Sequence, residues 1–343
     1  MDKEELECDF LVLGAGLAGT MMARLLSDHH PDKTLIVVDK RPSPDTKNHW
    51  ALLRFRDLET ARALGVGVEE MEIEKAIYWR GKLHYEADLA MNNTYSLKTY
   101  GQIGNRSLKH LGIAKRYLPL TTPKPKSCLW GKQLTHIEPG EVFLAEDDLV
   151  IRIKYSVCIS TIPMDALLQA TRIGNSDVPF FLSPNELMSE SIGIFRKQLK
   201  GVRCDVNQTI YFPETRFRVY RATLEKGLFI IEYSESDPDE IMEELKEVIG
   251  CFGIPFDRSL FDEIKPTDFH TQQNGKTLAI DDGTRRAIIY SLTDAYSLYS
   301  VGRFATWRSI RADQLVKDVY KVERMIRQGL DRTRYDRRLG ERS

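Results

Sequence analysis

The chain has 343 residues, 42% of them hydrophobic and 29% charged, with a formal net charge of −1. This composition gives a globular protein with a sizeable core, in one large domain or two interleaved ones, and excludes a molecule built as a whole to bind polyanions. The five cysteines (Cys8, Cys128, Cys158, Cys204, Cys251) form no Cys-x-x-Cys pair, which argues against a disulfide framework or a zinc site and for a reducing cytoplasm. The acidic start MDKEELECDF has no apolar leader region, and no apolar run reaches the length of a membrane span, so neither a leader nor a membrane partner is expected.

Phe10–Leu13 is a short apolar run that reads as a buried parallel strand. The turn Gly14-Ala15-Gly16-Leu17-Ala18-Gly19 follows it, then a helical stretch from Thr20 to Ser27, a break at Pro31-Asp32, and a second strand, Leu35–Val38, closed by Asp39, Lys40 and Arg41. Strand, glycine turn, helix and strand in this length make a dinucleotide-binding βαβ unit. Gly14 permits the tight turn, Gly16 lets a pyrophosphate approach the backbone, and Gly19 lets helix pack on strand. The helix then offers its unpaired N–H groups to the phosphates. Asp39, twenty residues after Gly19, is placed to take ribose hydroxyls, which fits FAD or NAD rather than NADP.

Arg41–Lys47 reads as a loop, and 70–140 as mixed and strand-poor, with an extended TTPKPK segment. Glu141–Asp148 reads as a hairpin and Val157–Pro163 as a buried strand ending at proline. Ile192–Tyr233 alternates as a multi-stranded antiparallel sheet, and Asp237–Phe252 has the spacing of an amphipathic helix. Ala287–Tyr290 and Leu298–Val301 read as strands, and Asp313–Gly329 as a final helix.

The segment Leu298–Trp307, a strand followed by Gly302-Arg303 and aromatics, resembles the C-terminal FAD motif of the UDP-galactopyranose mutase and amine-oxidase flavoproteins. Val157-Cys158-Ile159-Ser160-Thr161-Ile162-Pro163 is similar to the middle FAD-binding stretch of that group. The run from Tyr211-Phe212-Pro213-Glu214 through Arg221 to Ile231-Glu232-Tyr233-Ser234 is similar to the mutases' substrate sheet. The chain departs from the mutases where Asp45–Trp50 replaces a paired glycine and DPDEIMEEL replaces a tyrosine-rich segment. The resemblance implies FAD as the cofactor, with Gly302, Arg303 and Thr161 touching it and Trp307 close to the isoalloxazine.

The expected fold is α/β: a Rossmann-type FAD-binding domain (1–70, 141–175, 276–330) interleaved with an antiparallel-sheet substrate domain (71–140, 176–275), and a basic tail, 331–343. Catalytic candidates are His49, able to orient substrate or carry a proton near neutral pH, Trp307, and Lys276, which by resemblance to amine oxidases sits by flavin N5 through a water. Candidates for an anionic or aromatic substrate are Arg54, Arg216 and Arg218, the last two sharing a strand face, with Tyr211 and Tyr220. The resemblance implies an FAD-dependent oxidoreductase acting on a C–N bond. Two alternatives stand beside it: a non-redox mutase of nucleotide sugars, and, by similarity to short FAD proteins of tailed bacteriophages, an enzyme oxidising an amine-bearing thymidine in DNA. The partner is accordingly a small-molecule or nucleotide-linked substrate, or nucleic acid; the oligomeric state is left open.

Overall fold

The computed structural model describes residues 3–44, 52–100, 103, 111–121, 123–146, 149–171, 187–202, 207–234, 237–261 and 263–329. The glycine-turn unit forms as expected: β1 (Lys3–Leu13), α1 (Leu17–His29) and β2 (Leu35–Asp39), the strands parallel with Leu13 beside Val38. The first strand is longer than its apolar run. Its charged half, from Lys3, is recruited by pairing along Val150–Tyr155.

α2 (Leu58–Leu64) is capped by Asp57, which accepts from the Thr60 N–H, and leads into β3 (Val68–Trp79) and β4 (Lys82–His84). α3 (Leu89–Thr99), β5 (Gly112–Pro119), β6 (Leu129–Trp130), β7 (Gln133–Glu138), β8 (Glu141–Glu146) and β9 (Leu149–Ser160) follow. The stretch expected to be strand-poor is therefore rich in strands. Glutamates on the outer positions of β3 hide an inner row of Met71, Ile73, Lys75 and Ile77. Glu141–Asp148 does not form a hairpin by itself; β8 pairs with β7 on one side and β9 on the other.

Beyond α4 (Met164–Ala170) the chain forms β10 (Ser189–Gln198), β11 (Asn207–Tyr211), β12 (Val219–Glu225), β13 (Leu228–Ser234), α5 (Pro238–Gly250) and β14 (Phe269–Thr277). It ends in α6 (Asp282–Tyr296), β15 (Leu298–Ser300) and α7 (Ala312–Arg327). Ala287–Tyr290, expected as a strand, lies inside α6. Asp281 caps that helix by accepting from the Thr284 N–H, and Ile288, Leu292 and Tyr296 recur every four residues on its buried face.

The strands form two sheets. The first runs β6-β2-β1-β9-β8-β7, with β15 parallel to the C-terminal half of β9. The second runs β14-β10-β13-β12-β11-β3-β4, with β5 antiparallel to β3. Strands β6 and β7 thus join the first sheet although they lie within 71–140. The fold is α/β, a Rossmann-type layer joined to a largely antiparallel second sheet.

Each face of the second sheet has its own character. Phe195, Ile210, Ala222, Leu224, Phe229 and Ile231 pack on Ile241, Leu245, Val248 and Ile249 of α5. The opposite face carries Lys75, Thr209, Thr223 and Glu232, polar residues that are nonetheless buried. Buried polar positions in regular alternation need partners, and a ligand cavity supplies the setting. No helix among the described residues is long and apolar enough to cross a membrane.

Candidate cofactor and substrate site

Two adjoining cavities occupy the space between the sheets. The first, about 880 Å³, opens over the C-terminal ends of β1 and β2. It is lined by Gly14, Gly16, Leu17, Ala18, Asp39, Lys40, Arg41, Thr161, Gly302 and Arg303, at the upper end of the range for ligand pockets. Residues from the beginning, middle and end of the sequence converge here because β9 stands beside β1, and β15 beside β9, in the sheet.

Protein contacts account for two of the three glycines in the turn. Gly14 has φ +96°, and a Cβ there would lie 2.5 Å from Thr161 Oγ1; a Cβ on Gly19 would lie 1.8 Å from the Gly14 carbonyl oxygen. Gly16 has ordinary φ, −72°, and a Cβ there would meet nothing within 4 Å. The protein itself places no steric demand on Gly16, which leaves bare backbone on the cavity wall, open to close approach by a ligand. The N-terminus of α1 has no side-chain cap and faces the same cavity, so its N–H groups and dipole are available to an anion.

Asp39 stands at the end of β2. It accepts from the Ala15 N–H at 2.7 Å and from the Arg41 guanidinium at 2.9 Å on each oxygen. Burial works to raise its pKa, but the bonds from Arg41 and from the backbone N–H groups of Arg41 and Ala15 outweigh it, so the carboxyl is held below the usual range and ionised. Arg41 lies over the Trp130 ring. Thr161 donates to the Leu13 carbonyl at 2.8 Å, locking β9 to the glycine turn. Asp165 Oδ1 is buried on the cavity wall with no partner among the described residues, an acceptor free for a ligand N–H. Open backbone at Gly16, an uncapped helix end and an ionised ribose acceptor form a donor and acceptor set that fits an adenine dinucleotide such as FAD.

The second cavity, about 390 Å³, lies beneath the polar face of the second sheet and meets the first at Arg303, Ile310, Arg311 and Ala312. Among the described residues, eight basic ones line it (Arg54, Arg56, Lys75, Arg116, Arg221, Lys276, Arg303, Arg311) against two acidic ones, Glu232 and Asp313. Both acids are engaged: Glu232 by Arg221, and Asp313 by Arg311 at 3.1 Å. The wall therefore keeps a strong positive excess, and around the buried Lys75 and Arg116 the field is least screened.

Of the residues singled out from the sequence, Arg54, Tyr211, Tyr220 and Lys276 line this second cavity. Lys276 Nζ lies 3.7 Å from the centre of the Tyr220 ring and donates to the Lys98 carbonyl. Arg216 and Arg218 do not line it. Pro213 and Glu214 interrupt the strand expected to run through them, and the two arginines sit on the exposed turn between β11 and β12. There Arg216 makes a two-pronged bond to Glu247 and Arg218 pairs with Glu240. Trp307, expected beside the cofactor ring, lines neither cavity. It is buried in the apolar cluster with Met164, Leu168 and Leu298, and its indole donates to the Leu278 carbonyl at 2.9 Å. His49 lies outside the described residues.

Lys75, Arg116 and Arg311 were not legible as site residues. The signal for Lys75 is a lysine in the apolar row Met71-Ile73-Lys75-Ile77 of β3, masked by the glutamates between them. Arg116 becomes a site residue only through the pairing of β5 with β3.

No protein-family model matches the chain, and no curated protein matches it. Solved structures do. A reduced UDP-galactopyranose mutase is similar with a TM-score of 0.70 at 15% identity, covering 94% of this chain and 94% of that one. A fatty acid isomerase from P. acnes that produces CLA is similar at 0.60 and 11%, covering 93% and 98%. Putrescine oxidase bound to putrescine is similar at 0.56 and 11%, covering 94% and 99%. The chain has the fold of these enzymes.

Proposed function

We propose that this protein is an FAD-dependent oxidoreductase that acts on a C–N bond in an anionic substrate. One observation carries the reading: the cavity at the glycine turn runs into a cavity lined by eight basic residues, the two meeting at Arg303 and Arg311. Bound in the first cavity, FAD supplies a ring that accepts a hydride equivalent. The protein's part is to bind and orient. Gly16, the first turn of α1 and Asp39 hold the cofactor's phosphates and ribose. Arg221, held by Glu232, and Arg116 hold the anionic group of the substrate. Tyr211 and Tyr220 offer ring faces beside them. A bare diamine is a poor candidate, because a second positive charge gains nothing beside a wall of guanidinium groups.

The purified protein is expected to be yellow, and to lose its visible absorbance when an amine carrying a phosphate or carboxylate is added without oxygen. A diamine of the same length is expected to leave the colour unchanged. A colourless protein that takes up no flavin would end this reading.

The same positive wall favours a second reading, a mutase of nucleotide sugars, whose diphosphate it would hold. The distinguishing result is turnover of a nucleotide sugar by the reduced protein with no net change of redox state. DNA carrying an amine-bearing thymidine is a third source of phosphate. If six phosphates are engaged, binding is expected to fall by about 10³-fold between 50 and 200 mM salt, whereas a mononucleotide substrate changes far less.

A further inference from the structure

Within the cationic cavity, Lys75 and Arg116 differ from the other basic residues. Each is nearly fully buried, at 7% and 5% exposure. Arg116 Nη1 donates to the Lys115 carbonyl, while its Nη2 is buried without a partner among the described residues. Lys75 has no hydrogen-bond acceptor or carboxylate partner among the described residues. The two side chains share one face of the sheet: Arg116 pairs with Met71, which points the same way as Lys75 two positions further along the alternation. Both side chains line the cavity, and Gly112, which stands opposite Lys75 in the strand register, brings no side chain of its own to that position.

The charged groups facing Lys75 are Arg116 from β5, Arg54 and Arg56 from the segment before α2, and Arg221 from β12. The nearby carboxylates are already paired: Glu225 with Arg54, Glu232 with Arg221, and Asp313 with Arg311. Burial, and then repulsion from Arg116, Arg56, Arg221 and Arg54, hold the Lys75 ammonium down to about 7. A guanidinium in the same place would stay charged; a lysine can give up its proton.

We propose that Lys75 and Arg116 form a subsite for the phosphate-class oxyanion of the substrate, and that filling it draws a proton onto Lys75. The proposal deepens the reading of the cationic cavity as the substrate cavity and rests on it. The oxyanion accepts from Arg116 Nη2 and from Lys75 Nζ, and its two negative charges reverse the repulsion that discharges the lysine. No bond is made or broken; one proton passes from solvent to Nζ. The sign is fixed by the lysine: its charge is present below about pH 7 and is lost as pH rises, so the anion binds more tightly on the acid side.

Sulfate is the probe, because it keeps both charges throughout the range tested and any proton taken up belongs to the protein. Calorimetric titration of the purified full chain with sulfate, in two buffers of different ionisation heat, is expected to show about one proton taken up per sulfate at pH 8. The dissociation constant is expected to be roughly 20-fold weaker at pH 8.5 than at pH 6.5. Lys75→Arg, which keeps the charge without the titration, is expected to bind sulfate with a flat pH profile and no proton uptake. Arg116→Met, or Arg116→Lys should that variant not fold, is expected to weaken binding about tenfold or more.

A wild-type protein that binds sulfate with no proton uptake, or a Lys75→Arg variant with an unchanged pH profile, overturns the proposal. At fixed pH 7, UDP binding more tightly than sulfate supports a substrate-borne phosphate; UDP binding no better than sulfate overturns that part. Flavin content is read from absorbance on the same samples. Coupled sulfate binding by a colourless protein therefore leaves the subsite standing and removes the flavin reading, and a yellow protein without coupled binding does the reverse.

Discussion

Gly19→Ala is expected to give a protein with no flavin colour and a folding stability lower by about 3 kcal/mol, the upper end of overpacking effects. The added methyl would lie 1.8 Å from the carbonyl oxygen of Gly14 and 2.9 Å from its carbon. Both are backbone atoms, so no rotamer change relieves the clash. α1 must move away from β1, and with it the helix end that faces the cofactor cavity. Gly16→Ala is the control. Its methyl meets no protein atom within 4 Å and its φ of −72° suits alanine, so stability should stay within about 1 kcal/mol of wild type. Flavin affinity should nevertheless fall about 10- to 100-fold as the phosphates are pushed off the backbone N–H groups. Thermal melting and the ratio of visible to ultraviolet absorbance read the two effects separately. If Gly16→Ala keeps wild-type flavin affinity, the glycine turn is not the phosphate site.

Arg54→Met is expected to destabilise the fold by about 3–5 kcal/mol, because it strands a buried carboxylate. Arg54 bonds Glu225 at 2.7 Å and Thr209 Oγ1 at 3.1 Å, with the Arg54 side chain 12% exposed and that of Glu225 7%. Together with the backbone bonds between Phe55 and Tyr117, this pair ties the segment before α2 to the second sheet. The double variant Arg54→Met with Glu225→Leu removes both charges, and stability is expected to return close to wild type, since an apolar pair of similar volume often replaces a buried ion pair without loss. Anion affinity should not return, because the guanidinium is still missing from the cavity wall. Denaturant melts of the two variants beside sulfate titration check both halves. A single variant as stable as wild type would mean that Glu225 reaches water or another cation.

The split between the Arg216–Arg218 expectation and the Lys75–Arg116 finding shows where sequence patterning loses its grip. Arg216 and Arg218 look like a strand face in one dimension, but Pro213 has no N–H to donate to a ladder, and the chain turns there to meet the carboxylates of α5. Trp307 sits in the right motif, yet its backbone, at φ +47°, turns the indole into the core. In both cases the direction of the side chain was set by the backbone turn and a tertiary contact rather than by the residue pattern.

What the sequence determined by itself is local: the turn from Gly14 to Gly19, the strand ending at Asp39 and the amphipathic helix α5. Each of these follows from steric demands and periodicities that act within a few residues. The tertiary structure decided which distant strands lie side by side. Placing β9 against β1 and β15 against β9 assembled the cofactor cavity, and pairing β5 and β11 with β3 gathered cations from separate parts of the chain onto one wall. Charge acts through space, and the neighbours that press on Lys75 are 19 to 146 positions away in the chain, so the field in that cavity exists only once the sheet has formed.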